Sequence, residues 1–211
     1  KFTFSIEKMD KISLIFFCFL LASLSQAKKL VTFKAKAILK KPIHLTNDFK
    51  VWFASKDTPL RILSLNPGIS KIEIIDDSQY NAYLSPLQFP GISITSIMDF
   101  NVAFDGSSLE VKCNDDNLKQ EFQGSKVLKN LISRLLPKVN SYSKFFIDEE
   151  NRNLVNDAML EIKFGLPKWF PFKKETIEKN GSETIQKQLE NDMKTVMSEI
   201  IKSYEAQNAQ F

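Results

Sequence analysis

The C-terminal part of the chain carries one apolar stripe with the spacing of a long helix. Lys, Glu, Gln and Asn fill the positions between its members, so the pattern predicts an amphipathic helix whose stripe another element covers. The stripe consists of Ile177, Gly181, Ile185, Leu189, Met193, Val196, Ile200 and Tyr204. The residues expected to face a sheet are Ile177, Ile185, Leu189, Val196 and Ile200.

Gly181 lies within this stripe and leaves two interpretations of where the helix begins. In one, the helix is continuous and Gly181 lets it lie close to a sheet, because glycine has no side chain to hold the backbones apart. In the other, Asn180-Gly181 forms a turn and the helix begins at Ser182, a favourable N-cap residue. We favour the continuous helix because Gly181 keeps the register of the stripe.

Between Lys29 and Phe164 most of the chain alternates between apolar and polar residues, which predicts β-strands. In the first strand, Lys29 to Leu39, the cleaner apolar face consists of Val31, Phe33, Ala35, Ala37 and Leu39. Six further strands are predicted: Lys71 to Ile75, Gln79 to Leu84, Ile92 to Phe104, Leu109 to Cys113, Val139 to Asp148 and Leu154 to Phe164. Turn residues separate them, and Asp105-Gly106 is the strongest hairpin signal.

Three shorter helices are predicted outside the alternating segments. One covers Asn47 to Ser55, and a second begins after Asp57 and ends at Asn66-Pro67-Gly68. The third, Val127 to Leu136, is an amphipathic insert closed by Pro137. Since helices and strands are mostly segregated along the chain, the fold class is α+β.

The order of elements and several short segments resemble a known fold family. One strand, two short helices, a meander of antiparallel strands and a long C-terminal helix is the order of the START-like, or helix-grip, fold. An uncharacterised START-like (SRPBCC-like) family of cyanobacteria and plastids is similar in five segments: Phe53 to Ser55, Leu65 to Ile69, Leu84 to Gly91, Gly165 to Pro171 and Ile177 to Gly181. The resemblance implies a curved antiparallel sheet wrapped on the C-terminal helix, an apolar interior, and no established catalytic residues.

The N-terminal segment is predicted to direct the chain into a membrane-translocation pathway. An almost unbroken apolar run, Ile12 to Leu24, ends at Ser25-Gln26-Ala27, which places small residues at the two positions that signal peptidase recognises. We expect cleavage after Ala27. The alternative is an uncleaved anchor, although the run is shorter than the roughly 20 residues that a helix needs to cross a bilayer.

Cleavage at this point divides the chain into a signal peptide, residues 1–27, and a single START-like domain, residues 28–211. The mature protein is expected to begin near Lys28. Residues 1–8 precede Met9 and are interpreted as a translated part of the untranslated region.

A signal peptide on a domain that resembles a plastid family implies delivery through the endoplasmic reticulum to a plastid of secondary endosymbiotic origin. We expect a thylakoid-associated location. Secretion or an endomembrane site is the alternative, because no Ser-rich, acid-poor transit peptide follows Ala27.

Composition argues against nucleic-acid binding and against common catalytic sites. The net charge is only +4, both signs are mixed, and Arg occurs only at Arg61, Arg134 and Arg152. After cleavage one His and one Cys, His44 and Cys113, remain, which excludes the usual zinc ligand sets. No Gly-rich phosphate loop or serine elbow is present either, so we predict a protein that is not an enzyme and assign no metal or cofactor.

The candidate contact site is the proline-stiffened loop from Leu166 to Lys174. It interleaves aromatic and basic side chains: Lys168, Trp169, Phe170, Phe172, Lys173 and Lys174. Such a loop suits the headgroup region of a bilayer, where aromatic rings insert and Lys meets anionic lipid. The alternative is that the rings cap the end of the sheet beneath the long helix.

We therefore expect a non-enzymatic plastid membrane-associated protein that binds an apolar ligand, either a lipid or a pigment. The partner is a membrane surface or a membrane protein complex. The alternative is a structural subunit or assembly factor of a photosynthetic membrane complex, with no ligand. An interior of roughly several hundred cubic ångströms would favour the ligand, and a filled core would favour the scaffold.

Overall fold

The computed structural model describes residues 28–44, 46–89, 92–114, 118–124, 137–167 and 172–208. The predicted signal peptide and the predicted helix Val127 to Leu136 lie outside the described residues. Within the described residues, no helix combines the length and the apolar character that crossing a membrane requires.

Nine strands and three helices are described. The strands are β1 (Lys28–Pro42), β2 (Ile69–Ile74), β3 (Gln79–Leu84), β4 (Leu87–Phe89), β5 (Ile92–Phe104), β6 (Ser108–Cys113), β7 (Leu118–Gly124), β8 (Lys138–Asp148) and β9 (Asn153–Pro167). The helices are α1 (Asn47–Phe53), α2 (Thr58–Ser64) and α3 (Lys174–Asn208). All seven predicted strands are confirmed to within a few residues at their ends.

The strands form one antiparallel sheet in the order β1-β9-β8-β6-β5-β3-β2. Strand β5 is long enough to pair with two partners along each edge: β3 and β4 on one side, β6 and β7 on the other. The sheet curves around α3, so the α+β helix-grip architecture is confirmed. The sequence did not predict β7, because Leu118 and Phe122 are its only large apolar residues and its alternation is weak.

The two faces of β1 separate as the alternation predicts. Val31 and Ala35 are buried on the inner face, while Leu30 and Ile38 on the outer face are each 59% exposed. Strand β1 pairs with β9 along its whole length, from Lys28↔Pro167 to Pro42↔Asn153. Because β1 ends the sheet, no strand of the described residues lies along its other edge.

Side chains of α3 cover this free edge of β1. Helix side chains four residues apart accept hydrogen bonds from strand amides two residues apart. In these bonds, which we call the edge ladder, Thr32 N donates to Glu178 Oε1 at 2.8 Å, Lys34 N to Ser182 Oγ at 3.1 Å and Lys36 N to Gln186 Oε1 at 3.0 Å. The ladder satisfies backbone donors that an exposed strand edge would otherwise offer to another chain.

Helix α3 is continuous through Gly181, which confirms the favoured interpretation. The Phe33 ring lies against Gly181, where a methyl group on the glycine would overlap three ring carbons. Phe33 also packs edge-to-face on Phe164, with ring centroids 4.8 Å apart. Glycine in this helix is therefore required by the close approach of an aromatic ring from β1.

Buried apolar residues form two separate clusters along α3. The main core holds Phe49 and Phe53 of α1 and, from the helix, Val196, Met197 and Ile200. The smaller cluster is built on Val31, Phe164 and Leu166, with Phe33, Ile162 and Ile177 packed against it. Leu189 lies between the two clusters, is only partly buried and faces a space between α3 and the sheet.

Candidate functional site

An apolar groove of about 250 Å³ runs between α3 and the inner face of the sheet. Its walls come mainly from α2, β5, β8, β9 and α3. The helix contributes Leu189, Met193 and Val196, and α2 contributes Ile62 and Leu63. This volume lies just below the range of roughly 300–1,000 Å³ that small-molecule sites usually occupy.

The groove exists because the inner face of the sheet carries small residues between the two apolar clusters. On β8 the inner residues change from Phe145 to Ser143 and Ser141, and on β9 Ala158 lies directly opposite Ser143. Neither serine nor alanine reaches far enough to fill the space beneath a helix. The gap therefore follows from side-chain volume at the middle of two neighbouring strands.

Asn156 places a polar group in the wall of this groove. It is only 2% exposed, and its Oδ1 accepts a hydrogen bond from Ser143 Oγ at 2.9 Å. Within the described residues the Asn156 side chain forms no other hydrogen bond. Its NH₂ group therefore has no described protein acceptor and is left for water or for a ligand atom in the groove.

Asp192 of α3 lines the same groove and is half-buried. Burial raises the pKa of its carboxyl above the ordinary value, and a hydrogen bond from Gln188 Nε2 at 2.7 Å acts in the opposite direction. The groove thus combines apolar walls with a few convergent polar groups, which is the usual composition of a small-molecule site.

A second hollow, of about 300 Å³, lies over β3 and β5 near Tyr80 and Asn101. An ion pair borders it, with Lys119 Nζ 2.7 Å from an Asp99 carboxylate oxygen. Because its surface is mostly polar, this hollow does not suit an apolar molecule.

The structure describes only part of the predicted contact loop. Lys168, Trp169 and Phe170 lie outside the described residues. Phe172 is 59% exposed, and Lys173 is also exposed. Lys174 begins α3, and its Nζ lies 3.6 Å from Glu178 Oε1. None of these three described residues lines the groove.

Neither His44 nor Cys113, the one His and the one Cys expected in the mature chain, lines the groove. His44 is exposed, and Cys113 is a fully buried part of the main core, as expected for a structural residue. Among the described residues no group of three or more His, Cys, Asp and Glu side chains is placed to hold a metal ion.

The sequence analysis missed Ser143, Asn156 and Asp192. A signal was present, because Ser143 and Asn156 interrupt the apolar inner series of two predicted strands. Asp192 follows Leu189 by three residues and precedes Val196 by four, so it belongs to the apolar face of the helix. A polar residue on a face predicted to be buried is the informative exception.

No family model matches the chain, and no curated protein matches it significantly. Several solved structures are similar to it. Norcoclaurine synthase from Thalictrum flavum, in complex with dopamine and hydroxybenzaldehyde, is 13% identical with a TM-score of 0.42, over 96% of this chain and 98% of that one. Ginseng major latex-like protein 151 from Panax ginseng is 13% identical with a TM-score of 0.41, over 82% and 98%. A conserved protein from Geobacillus kaustophilus has the same identity and TM-score, over 82% and 97%. Such similarities concern the fold alone and assign no ligand or activity to this chain.

Proposed function

We propose that this domain binds a small apolar molecule, without catalysing a reaction, in the groove between α3 and the sheet. The observation that carries the proposal is the groove itself, about 250 Å³ of space with mostly apolar walls. Small-molecule sites are usually clefts with mostly apolar walls and a few polar groups. The composition of this groove and its position beneath the longest helix therefore support a binding site.

The side chains around the groove support binding more than catalysis. Among the described residues that line it, Asp192 is the only carboxylate, and none is His, Cys or Lys. A nucleophile beside a base, or two carboxylates at a fixed separation, is what most hydrolytic and transfer reactions need. Asn156 and Ser143 can orient a ligand by hydrogen bonds, but they supply no general base.

A substitution that fills the groove tests the proposal. Ala158 is buried in the groove wall, so Ala158→Phe should weaken the binding of an apolar fluorescent dye by about tenfold or more, equivalent to about 1.4 kcal/mol. Ala103→Phe is the matched control, because Ala103 is exposed on β5 outside the groove. Equal dye binding by both variants, with thermal unfolding showing that both are folded, would refute the groove as the site.

We propose a lipid or a pigment as the ligand, and a plastid membrane as the location. The exposed apolar residues at one end of the domain support membrane contact: Leu30, near the start of β1, and Phe172, before α3, are each 59% exposed. Lys173 beside Phe172 would meet anionic headgroups. Intact-mass measurement of the protein isolated from its own cells, with its co-purifying lipids and pigments, tests cleavage after Ala27 and the ligand class together.

The same exposed end also supports the alternative, a structural subunit or assembly factor of a photosynthetic membrane complex. The Ala158→Phe variant distinguishes the two proposals in solution. A scaffold would bind its complex equally well with the groove filled, so this variant would weaken dye binding and leave assembly unchanged.

A further inference from the structure

We infer that the groove selects an apolar molecule carrying a neutral hydroxyl group, which hydrogen-bonds to Asn156 and to an oxygen of Ser143 or Asp192. This inference rests on the proposed function and names the chemical class of its ligand. It follows from the hydrogen-bond donors and acceptors in the groove wall that remain available to a ligand.

Asn156 supplies the donor. Its Oδ1 already accepts from Ser143 Oγ at 2.9 Å, so the part of the amide left for a ligand is the NH₂ group. The side chain lines the groove, and its NH₂ group has no described protein acceptor, so a ligand atom there can accept from it in place of water. A hydrogen bond to a ligand between apolar walls is electrostatically stronger than one in bulk water.

Ser143 and Asp192 supply the acceptors. Because Ser143 donates its only hydroxyl proton to Asn156, its oxygen lone pairs can accept from a ligand. Asp192 uses one oxygen to accept from Gln188 Nε2 at 2.7 Å, and its carboxylate has capacity for further donors. Both side chains line the groove.

A hydroxyl group fits this set better than either charged alternative. It can accept from Asn156 and donate to Ser143 or Asp192 through the same oxygen. An ammonium group could pair with Asp192, but it has no lone pair for Asn156 and would lose part of its hydration between apolar walls. A carboxylate could accept from Asn156, but it would lie beside the Asp192 carboxyl group, where two negative charges would repel more strongly than in water.

The test compares octanol, octylammonium and octanoate at neutral pH. The three share one alkyl chain, so they differ only in the group that meets the polar wall. Each displaces a bound apolar reporter, N-phenyl-1-naphthylamine, and its affinity follows from the loss of fluorescence. We expect octanol to bind about tenfold more tightly than either charged probe, the worth of roughly one hydrogen bond to a buried partner.

Two variants and one control assign the preference to the groove. Asn156→Leu keeps the size of the side chain and removes the donor, so the advantage of octanol should fall to about twofold or less. Asn101→Leu makes the same change at an exposed position of β5 outside the groove and should change nothing. If Asn156→Leu does not fold, Asp192→Asn on the half-buried helix face serves instead and should raise octanoate affinity by about fivefold.

The outcomes separate this inference from the proposed function. If wild type binds the reporter but ranks the three probes equally, or if Asn156→Leu keeps the wild-type ranking, the hydroxyl assignment is wrong and the apolar site remains. If neither the reporter nor octanol binds, both the assignment and the proposed function are wrong.

Discussion

Replacement of Gly181 by alanine tests how closely α3 lies against the sheet. In an exposed helix interior this change is favourable, because alanine forms helix about 1 kcal/mol better than glycine. Here a methyl group would overlap Cδ1, Cε1 and Cζ of Phe33. The ring has little room to move away, since it packs edge-to-face on Phe164 with centroids 4.8 Å apart.

The structural cost outweighs the gain in helix propensity. Forcing additional atoms into a packed contact costs about 1–3 kcal/mol. Displacing the ring also weakens its pairing with Phe164, which is worth about 0.5–1.5 kcal/mol. Set against the gain of about 1 kcal/mol, these two costs mean that Gly181→Ala should lower the free energy of unfolding by about 0.5–3.5 kcal/mol.

Chemical denaturation of the single and double variants measures this effect. In a Phe33→Val background, which removes the overlapping ring carbons and keeps a strand-forming residue, Gly181→Ala should become stabilising by up to about 1 kcal/mol. Asn180→Ala, at the exposed neighbouring position, controls for helix propensity alone and should raise the free energy of unfolding by about 0.5 kcal/mol. A stabilising Gly181→Ala in the wild-type background would refute the close contact.

Three further predictions concern packing, acid stability and membrane contact. Ile200→Ala should cost about 2–5 kcal/mol in urea unfolding because Ile200 is fully buried, whereas Leu189→Ala, beside the groove, should cost less than about 2 kcal/mol; equal losses would contradict the groove. Hydrogen bonds from the backbone amides of Ser108 and Ser107 lower the pKa of Asp105. The stabilising effect of its carboxylate is therefore present above the ordinary Asp pKa and is lost as pH falls through the lowered pKa. Asp105→Ala should therefore be less stable than wild type at neutral pH, and the difference should shrink below about pH 4; a difference that is constant with pH would contradict this. Phe172→Ser should weaken binding to anionic vesicles by about tenfold without affecting the fold, and Val51→Ser, at an equally exposed position on α1, should not; equal effects would remove Phe172 from the contact surface.

The sequence predicted those parts of the fold that depend on a period within one element. The alternation of β1 identified its buried face, and the stripe of α3 identified a continuous helix through Gly181. Strand β7 was not predicted because apolar and polar residues hardly alternate in it. Its position is set by pairing with β5. Backbone hydrogen bonds between strands depend little on side-chain type, so the sequence pattern does not indicate them.

The groove was harder to predict because it depends on three elements at once. The resemblance to a START-like family implied an apolar interior, but no pattern in the sequence indicated which residues line it. Ser143 and Asn156 each look like a minor break in a strand pattern. Only the pairing of β8 with β9, with α3 above both, places those breaks beside Asp192 and converts them into one polar wall.

The attachment of α3 at two separate places explains how an unfilled space can persist beneath it. Toward its N-terminus the helix is held by the edge ladder and by the contact of Phe33 with Gly181. Toward its C-terminus it is held by Met197 and Ile200, which are fully buried in the main core. Leu189 and its neighbours span the distance between these attachments. To close the groove, the middle of a regular helix would have to bend toward the sheet, which would strain its backbone hydrogen bonds. The space is therefore maintained by the packing on either side of it.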